Sequence, residues 1–92
     1  MKNLYVVFLP MLDAEKSAEH RQAHLDYLAE KYNEGVLTAY GRFTDGWGGM
    51  LVYEAESEAQ VKEWAVNDPY IVHNARTYEI HEWAVAKANL QR

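Results

Sequence analysis

The chain predicts an α+β domain in which a four-stranded antiparallel sheet carries two helices on one face. Three observations lead there. Apolar and alternating stretches follow one another as strand, helix, strand, strand, helix, strand, with no repeat and no linker between them. The first and third strands are apolar on both faces, as strands in the middle of a sheet are, while the second and fourth are mixed. At 92 residues there is material for one core only. This is the ferredoxin-like βαββαβ order, with strands one and three central and two and four at the edges.

Asn3 to Leu9 is the first strand, apolar from Leu4 onward and stopped by Pro10. Asp13-Ala14-Glu15-Lys16 opens a helix with acidic residues near its positive end. Ala18, Leu25, Leu28 and Tyr32 recur on one face of it, and Gly35 is placed to end it in a left-handed conformation. Val36 to Thr44 is the second strand, with Leu37, Ala39, Gly41 and Phe43 on one side and Val36, Thr38, Tyr40 and Arg42 on the other. Asp45-Gly46-Trp47-Gly48-Gly49 is a hairpin connection, and Met50 to Ala55 the third strand. Ser57 with Gln60 three residues on forms a capping box for a second helix through Val61, Trp64 and Ala65. Asn67-Asp68-Pro69 ends that helix, because proline disfavours helical geometry at the residue before it. After a short turn, Arg76 to Trp83 is the last strand, and Ala84 to Arg92 is a tail that forms a short helix or frays. The chain is thus one domain, 1–92, with its core at about 3–84 and a short C-terminal tail, 85–92.

Nine Lys and Arg against fourteen Asp and Glu leave a formal charge of −5 with no basic cluster, which argues against nucleic acid and anionic membranes as partners. A small molecule or another protein fits better. No cysteine is present, so disulfides, thiolate nucleophiles and Cys-based zinc sites are excluded, in keeping with the cytoplasm. Lys2 and the run Leu4 to Leu9 resemble the start of a secretory signal. Pro10 ends the run early, no cleavage pattern follows, and no window is long enough to span a membrane. The expectation is a soluble, uncleaved chain.

Two helices cover only one face of a four-stranded sheet. Tyr5, Val7, Leu9, Met50 and Val52, or their opposites, must then face away from the helices, a patch too apolar for a soluble monomer. A second copy packed sheet to sheet in a two-fold homodimer would cover it.

Candidate chemistry is sparse. His24 lies one turn before Leu28 at the border of the buried helix face, where an imidazole can exchange a proton near neutral pH or simply satisfy a backbone carbonyl. Asp68 before Pro69 caps a turn or short helix, and the same carboxylate can orient a histidine. Arg21 is suited to a ligand carboxylate or phosphate, or to solvent and a neighbouring Glu. Tyr70 either walls a pocket or fills core. His20 and His24 have a metal-ligand spacing, but no third ligand is evident, so no metal site is assigned. Neither a nucleophile beside His24, nor a phosphate-binding glycine loop, nor a cofactor motif is found, which leaves proton transfer as the available chemistry.

Taken together, Arg21-x-x-His24-x-x-Tyr27-Leu28, Gly35-Val36-Leu37, Gly41, Asp45-Gly46, Glu54-Ala55-Glu56-Ser57, Asp68-Pro69-Tyr70 and a closing strand ending in Trp83 resemble the YciI-like (YCII-related) proteins. The resemblance spans Tyr5 to Trp83 and rests on the order and spacing of motifs that are individually unspecific. It implies a dimeric α+β barrel, with two protomers paired through their sheets. It also implies a His–Asp pair in a pocket, which the motifs place at His24 and Asp68; beside that pair, Arg21, Tyr70 and His73 are the candidate substrate-binding residues. His73-Asn74 departs from the commoner pattern of small residues after the Asp-Pro-Tyr turn, and so reshapes the pocket mouth.

The resulting expectation is cofactor-independent acid/base chemistry on a small carbonyl-bearing or lactone-like molecule. The reaction would be an isomerisation, elimination or hydrolysis, similar to those of muconolactone isomerases and dehalogenases of this fold, with His24 as acid or base and Asp68 orienting it. A non-catalytic dimeric binding protein and a haem- or quinone-handling monooxygenase are the alternative readings.

Overall fold

The computed structural model describes residues 2–87. Its elements are β1 (Asn3–Pro10), α1 (Ala14–Glu19), α2 (Arg21–Asn33), β2 (Leu37–Arg42), β3 (Gly48–Ala55), α3 (Glu58–Val66), α4 (Pro69–Val72) and β4 (Glu79–Trp83). The strands form one antiparallel sheet in the order β2-β3-β1-β4, so the two doubly apolar strands are central and the two mixed ones are edges, as the sequence predicts. The greater part of the expected tail, residues 88–92, lies outside the described residues.

On one face of the sheet Tyr5, Val7 and Leu9 of β1 and Leu51, Tyr53 and Ala55 of β3 pack against Leu28 of α2 and Val61 of α3. Ser57 caps α3 by accepting from the Gln60 N–H at 3.2 Å, and the Gln60 side chain returns to the Glu56 N–H at 3.1 Å. Gly35, at φ 87°, ends α2 in the left-handed region that glycine enters without a Cβ penalty.

Three local expectations are corrected. The first helix is two: the chain breaks at His20, which closes α1 and precedes α2. The break resets the helical phase, so Ser17, His24 and Leu28 are buried, Ala18 is exposed and Leu25 only half-buried. Second, the paired glycines Gly48 and Gly49 belong to β3 and pair with Pro10 and Leu9 rather than forming the turn. Third, a bulge between Leu37 and Ala39 inserts Thr38 as an extra residue in β2. Leu37 opposes Tyr53 while Tyr40 opposes Leu51, so Leu37, Tyr40 and Arg42 share the helix-covered face, and Ala39 and Gly41 turn away from it.

On the uncovered face, Val6, Phe8, Met50 and Val52 lie together. Trp47 makes edge contacts with Phe8 and Phe43, at centroid distances of 6.0 and 5.6 Å. On β1 the opposites of Tyr5, Val7 and Leu9 are the ones that face outward.

Two tyrosines in the helix–sheet layer link the fold to pH. Burial, reinforced by the charges of Asp68, Glu34, Glu30 and Glu63, pushes the Tyr27 phenol up to about 12. Burial also pushes Tyr53 well above its ordinary value. Both phenols ionise in the unfolded chain near pH 10 and resist ionising in the folded one, so their contribution is complete below pH 10 and is lost as pH rises toward 12. Stability measured by urea denaturation should therefore fall across that interval, where an unchanged midpoint would contradict the assignment.

Candidate functional site

The site is assembled at the meeting of α2 with α4. Asp68 is the N-cap of α4: its backbone is extended and its Oδ1 accepts the Tyr70 N–H at 2.9 Å, with Pro69 in the first helical position where a missing N–H costs nothing. The same carboxylate meets His24. Nδ1 of His24 lies 2.8 Å from Oδ1 and 3.0 Å from Oδ2. His24 is 7% and Asp68 1% exposed, so both readings of Asp68, cap and histidine partner, hold at once.

A carboxylate can only accept, so Nδ1 carries the proton and Nε2 is the nitrogen left for other chemistry. The ring of Tyr70 is stacked on that of His24, with centroids 3.8 Å apart and planes 12° from parallel, which holds the imidazole in one orientation. The phenol of Tyr70 is raised above its ordinary value by burial, against the opposing pull of Arg76 and Arg21.

His24 and Tyr70 line a cavity of about 260 Å³ between the sheet and α1–α2, closed by Leu9, Leu28 and Leu51. Arg21 lines it too. His73 does not: it is the C-cap of α4, and its exposed ring is stacked on His20 at 3.7 Å with planes 1° apart. The expected ligand contact at His73 is thus not met in the cavity wall. The His20–His24 pair gains no further ligand, and among the described residues no group of three or more His, Cys, Asp or Glu is placed to hold a metal.

Four cavity residues are not legible as such in the sequence: Ser17, Tyr40, Arg42 and Arg76. Tyr40 and Arg42 arrive through the β2 bulge. Arg76 is delivered by the turn after α4, where Asn74 takes φ 58°, a left-handed conformation that asparagine tolerates. Its Nε donates to Ser17 Oγ at 3.0 Å and one Nη to the Leu9 carbonyl at 3.3 Å, while its guanidinium carbon sits 4.5 Å from the Tyr70 ring centroid. The Ser17 hydroxyl in turn donates to the Ala75 carbonyl at 3.2 Å. The one available signal was Asn74, an unusual residue beside the Asp-Pro-Tyr turn.

Comparison with known proteins agrees with this architecture. The family description "YCII-related domain" matches residues 3–84. An uncharacterised Bacillus subtilis (strain 168) protein, YjpA, is 29% identical over 85 residues, covering 91% of this chain and 100% of its own length. Among solved structures, the 5-chloro-2-hydroxyhydroquinone dehydrochlorinase TftG from Burkholderia phenoliruptrix AC1100, in complex with 2,5-dihydroxybenzoquinone, superposes with a TM-score of 0.75. That match is 21% identical in sequence and covers 87% of this chain and 92% of TftG, a likeness of fold. Among the described residues no helix is long and apolar enough to cross a membrane.

Proposed function

Because the chain belongs to the YCII-related domain family, we propose that it is a small-molecule enzyme in which His24 transfers a proton and Asp68 holds it in position. The observation that carries this reading is the buried bond from His24 Nδ1 to the Asp68 carboxylate, in a residue that lines a cavity. With Nδ1–H held by the carboxylate, Nε2 presents a lone pair as a base. The imidazolium formed when it takes a proton is stabilised by the buried negative charge behind it.

The substrate class is a small ring or chain bearing a carbonyl or lactone, whose neighbouring C–H is acidic enough for imidazole. Nε2 takes that proton. In an isomerisation the proton returns to another carbon, and in an elimination the electron pair forms a double bond as a leaving group departs. TftG, named for a dehydrochlorination, supports the second as the first reaction to try. Arg21 and Tyr70 contact the bound molecule in this reading.

The test is a panel of chlorinated hydroquinones and unsaturated lactones, followed for halide release and for deuterium uptake in D₂O. Turnover should fall about 10²- to 10⁴-fold in His24→Gln, the range associated with a positioned acid or base. Turnover that survives His24→Gln sinks the proposal, and ligand binding without turnover anywhere in the panel favours a binding protein.

The active form is proposed to be a homodimer joined through the uncovered sheet face. Trp47 and Trp83, 47% and 41% exposed, flank the sheet face of Val6, Phe8, Met50 and Val52, which no helix among the described residues covers. Sedimentation should give a dimer at micromolar concentration that Val52→Lys converts to monomer. A parent chain that sediments as a monomer contradicts the pairing.

A further inference from the structure

The acidic chain concentrates positive charge in one place. Arg21, Arg42 and Arg76 all line the cavity that His24 lines, and no Asp or Glu lines it. Among the described residues none of these arginines has a carboxylate within 4.0 Å. Asp68, the buried carboxylate, is occupied by His24 and the Tyr70 N–H.

We propose that the cavity recognises its ligand as a small organic carboxylate, clamped by Arg76 with Arg42 and Arg21 beside it. The proposal rests on the reading of this cavity as the reaction site, and it names the substrate class.

Arg76 carries most of the argument. It is half-buried, and its two bonds go to neutral acceptors, the Ser17 hydroxyl and the Leu9 carbonyl. Those bonds fix the guanidinium plane without neutralising its charge. A guanidinium has five N–H donors, so three remain, enough for a two-point bond to a carboxylate. An arginine that only braced the fold would gain from a carboxylate partner, because a partly desolvated charge left unpaired is costly. Here a rigid, unneutralised fork lines a cavity instead.

The remaining wall favours a carboxylate over a phosphate. Leu9, Met11, Leu28 and Leu51 supply apolar surface for a hydrocarbon body, and the glycines of the wall, Gly41 and Gly49, lie in paired strands rather than in the loop before a helix that phosphate sites use.

The experiment titrates the protein with acetate, benzoate and cis,cis-muconate, and with methyl benzoate and inorganic phosphate as controls, following the ring signals of His24 and Tyr70 by NMR. At least one carboxylate should bind and move both rings. Its affinity should fall about 10- to 100-fold in Arg76→Gln, the range expected when bonds to a charged group are lost, and should weaken as salt rises. Arg42→Gln, on an edge strand, gives the same readout should Arg76→Gln fail to fold. Equal binding of benzoate and its methyl ester, preference for phosphate, or no response to any carboxylate overturns the proposal. His24→Gln separates it from the proton-transfer reading: carboxylate binding should persist there while turnover is lost. Turnover surviving in His24→Gln leaves anion recognition standing, whereas turnover without carboxylate preference removes anion recognition alone.

Discussion

Asp68→Asn should leave the protein folded and lower its turnover by about 10²- to 10⁴-fold. The two halves of that outcome come from different atoms. Oδ1 caps α4 by accepting the Tyr70 N–H at 2.9 Å, and an amide oxygen in the same place accepts equally well, so the cap survives. The bond to His24 does not survive unchanged. Both carboxylate oxygens lie within 3.0 Å of Nδ1, and because both only accept, a single tautomer is selected. Asparagine offers one acceptor and one donor at those distances. It no longer dictates which nitrogen carries the proton, and it supplies no charge to the imidazolium. Ring ¹⁵N spectra should therefore change from one tautomer to a mixture as the rate falls, while the thermal transition moves little. Asp68→Ala, by contrast, should also lose the cap, at a cost of about 1 kcal/mol, and strand a buried imidazole. If the asparagine variant keeps both the tautomer and the rate, the carboxylate is a cap and nothing more.

The largest stability effect should come from Gly48→Ala. A Cβ at Gly48 would overlap the Leu9 carbonyl oxygen and lie 3.1 Å from the Cα of Pro10, both backbone atoms that cannot swing aside. Gly48 also has φ 150°, at the limit of the range that favours glycine. Relief requires β3 to move away from the end of β1, where the register sets Gly48 opposite Pro10 and Gly49 opposite Leu9. The expected loss is about 3 kcal/mol, corresponding in a domain of this size to a Tm lower by roughly 10–25 °C. Calorimetry decides it, and a shift of only a few degrees would mean that the approach of the two strands is looser than described. Gly49, one residue on, lines the cavity beside Gly41, so small residues here keep the cavity floor open.

What the sequence carries of this fold is what hydrophobic pattern and punctuation can carry. The apolar runs of Leu4 to Leu9 and Met50 to Ala55, the cap at Ser57 and the stop at Pro69 lead to the sheet order and the helix ends. His24, Asp68, Arg21 and Tyr70 are found at one place in the structure, as the motifs suggest. The failures are failures of phase. Nothing in Glu19-His20-Arg21 breaks helices chemically, so the break at His20 is a tertiary effect, and with it the helix face turns until His24 moves from the border into the wall. The bulge at Thr38 likewise leaves no mark in an edge strand that is already mixed, and it exchanges the two faces of β2 beyond it. Arg76 escaped notice because its role depends on Ser17, 59 residues away in the chain.

The bulge in β2 has a consequence for how this protein can diversify. The two halves of the site are carried by different segments: the His24–Asp68 pair belongs to α2 and α4, while Tyr40 and Arg42 line the cavity because Thr38 is left unpaired in an edge strand. Drawing Thr38 into the ladder, with Ala39 brought opposite Leu51, would rotate guanidinium and phenol out of the cavity and alanine and glycine in, whereas deleting Thr38 would leave Tyr40 opposite Leu51. The register of one edge strand, rather than its length, is therefore the point at which relatives on this scaffold can exchange the side chains that line the cavity.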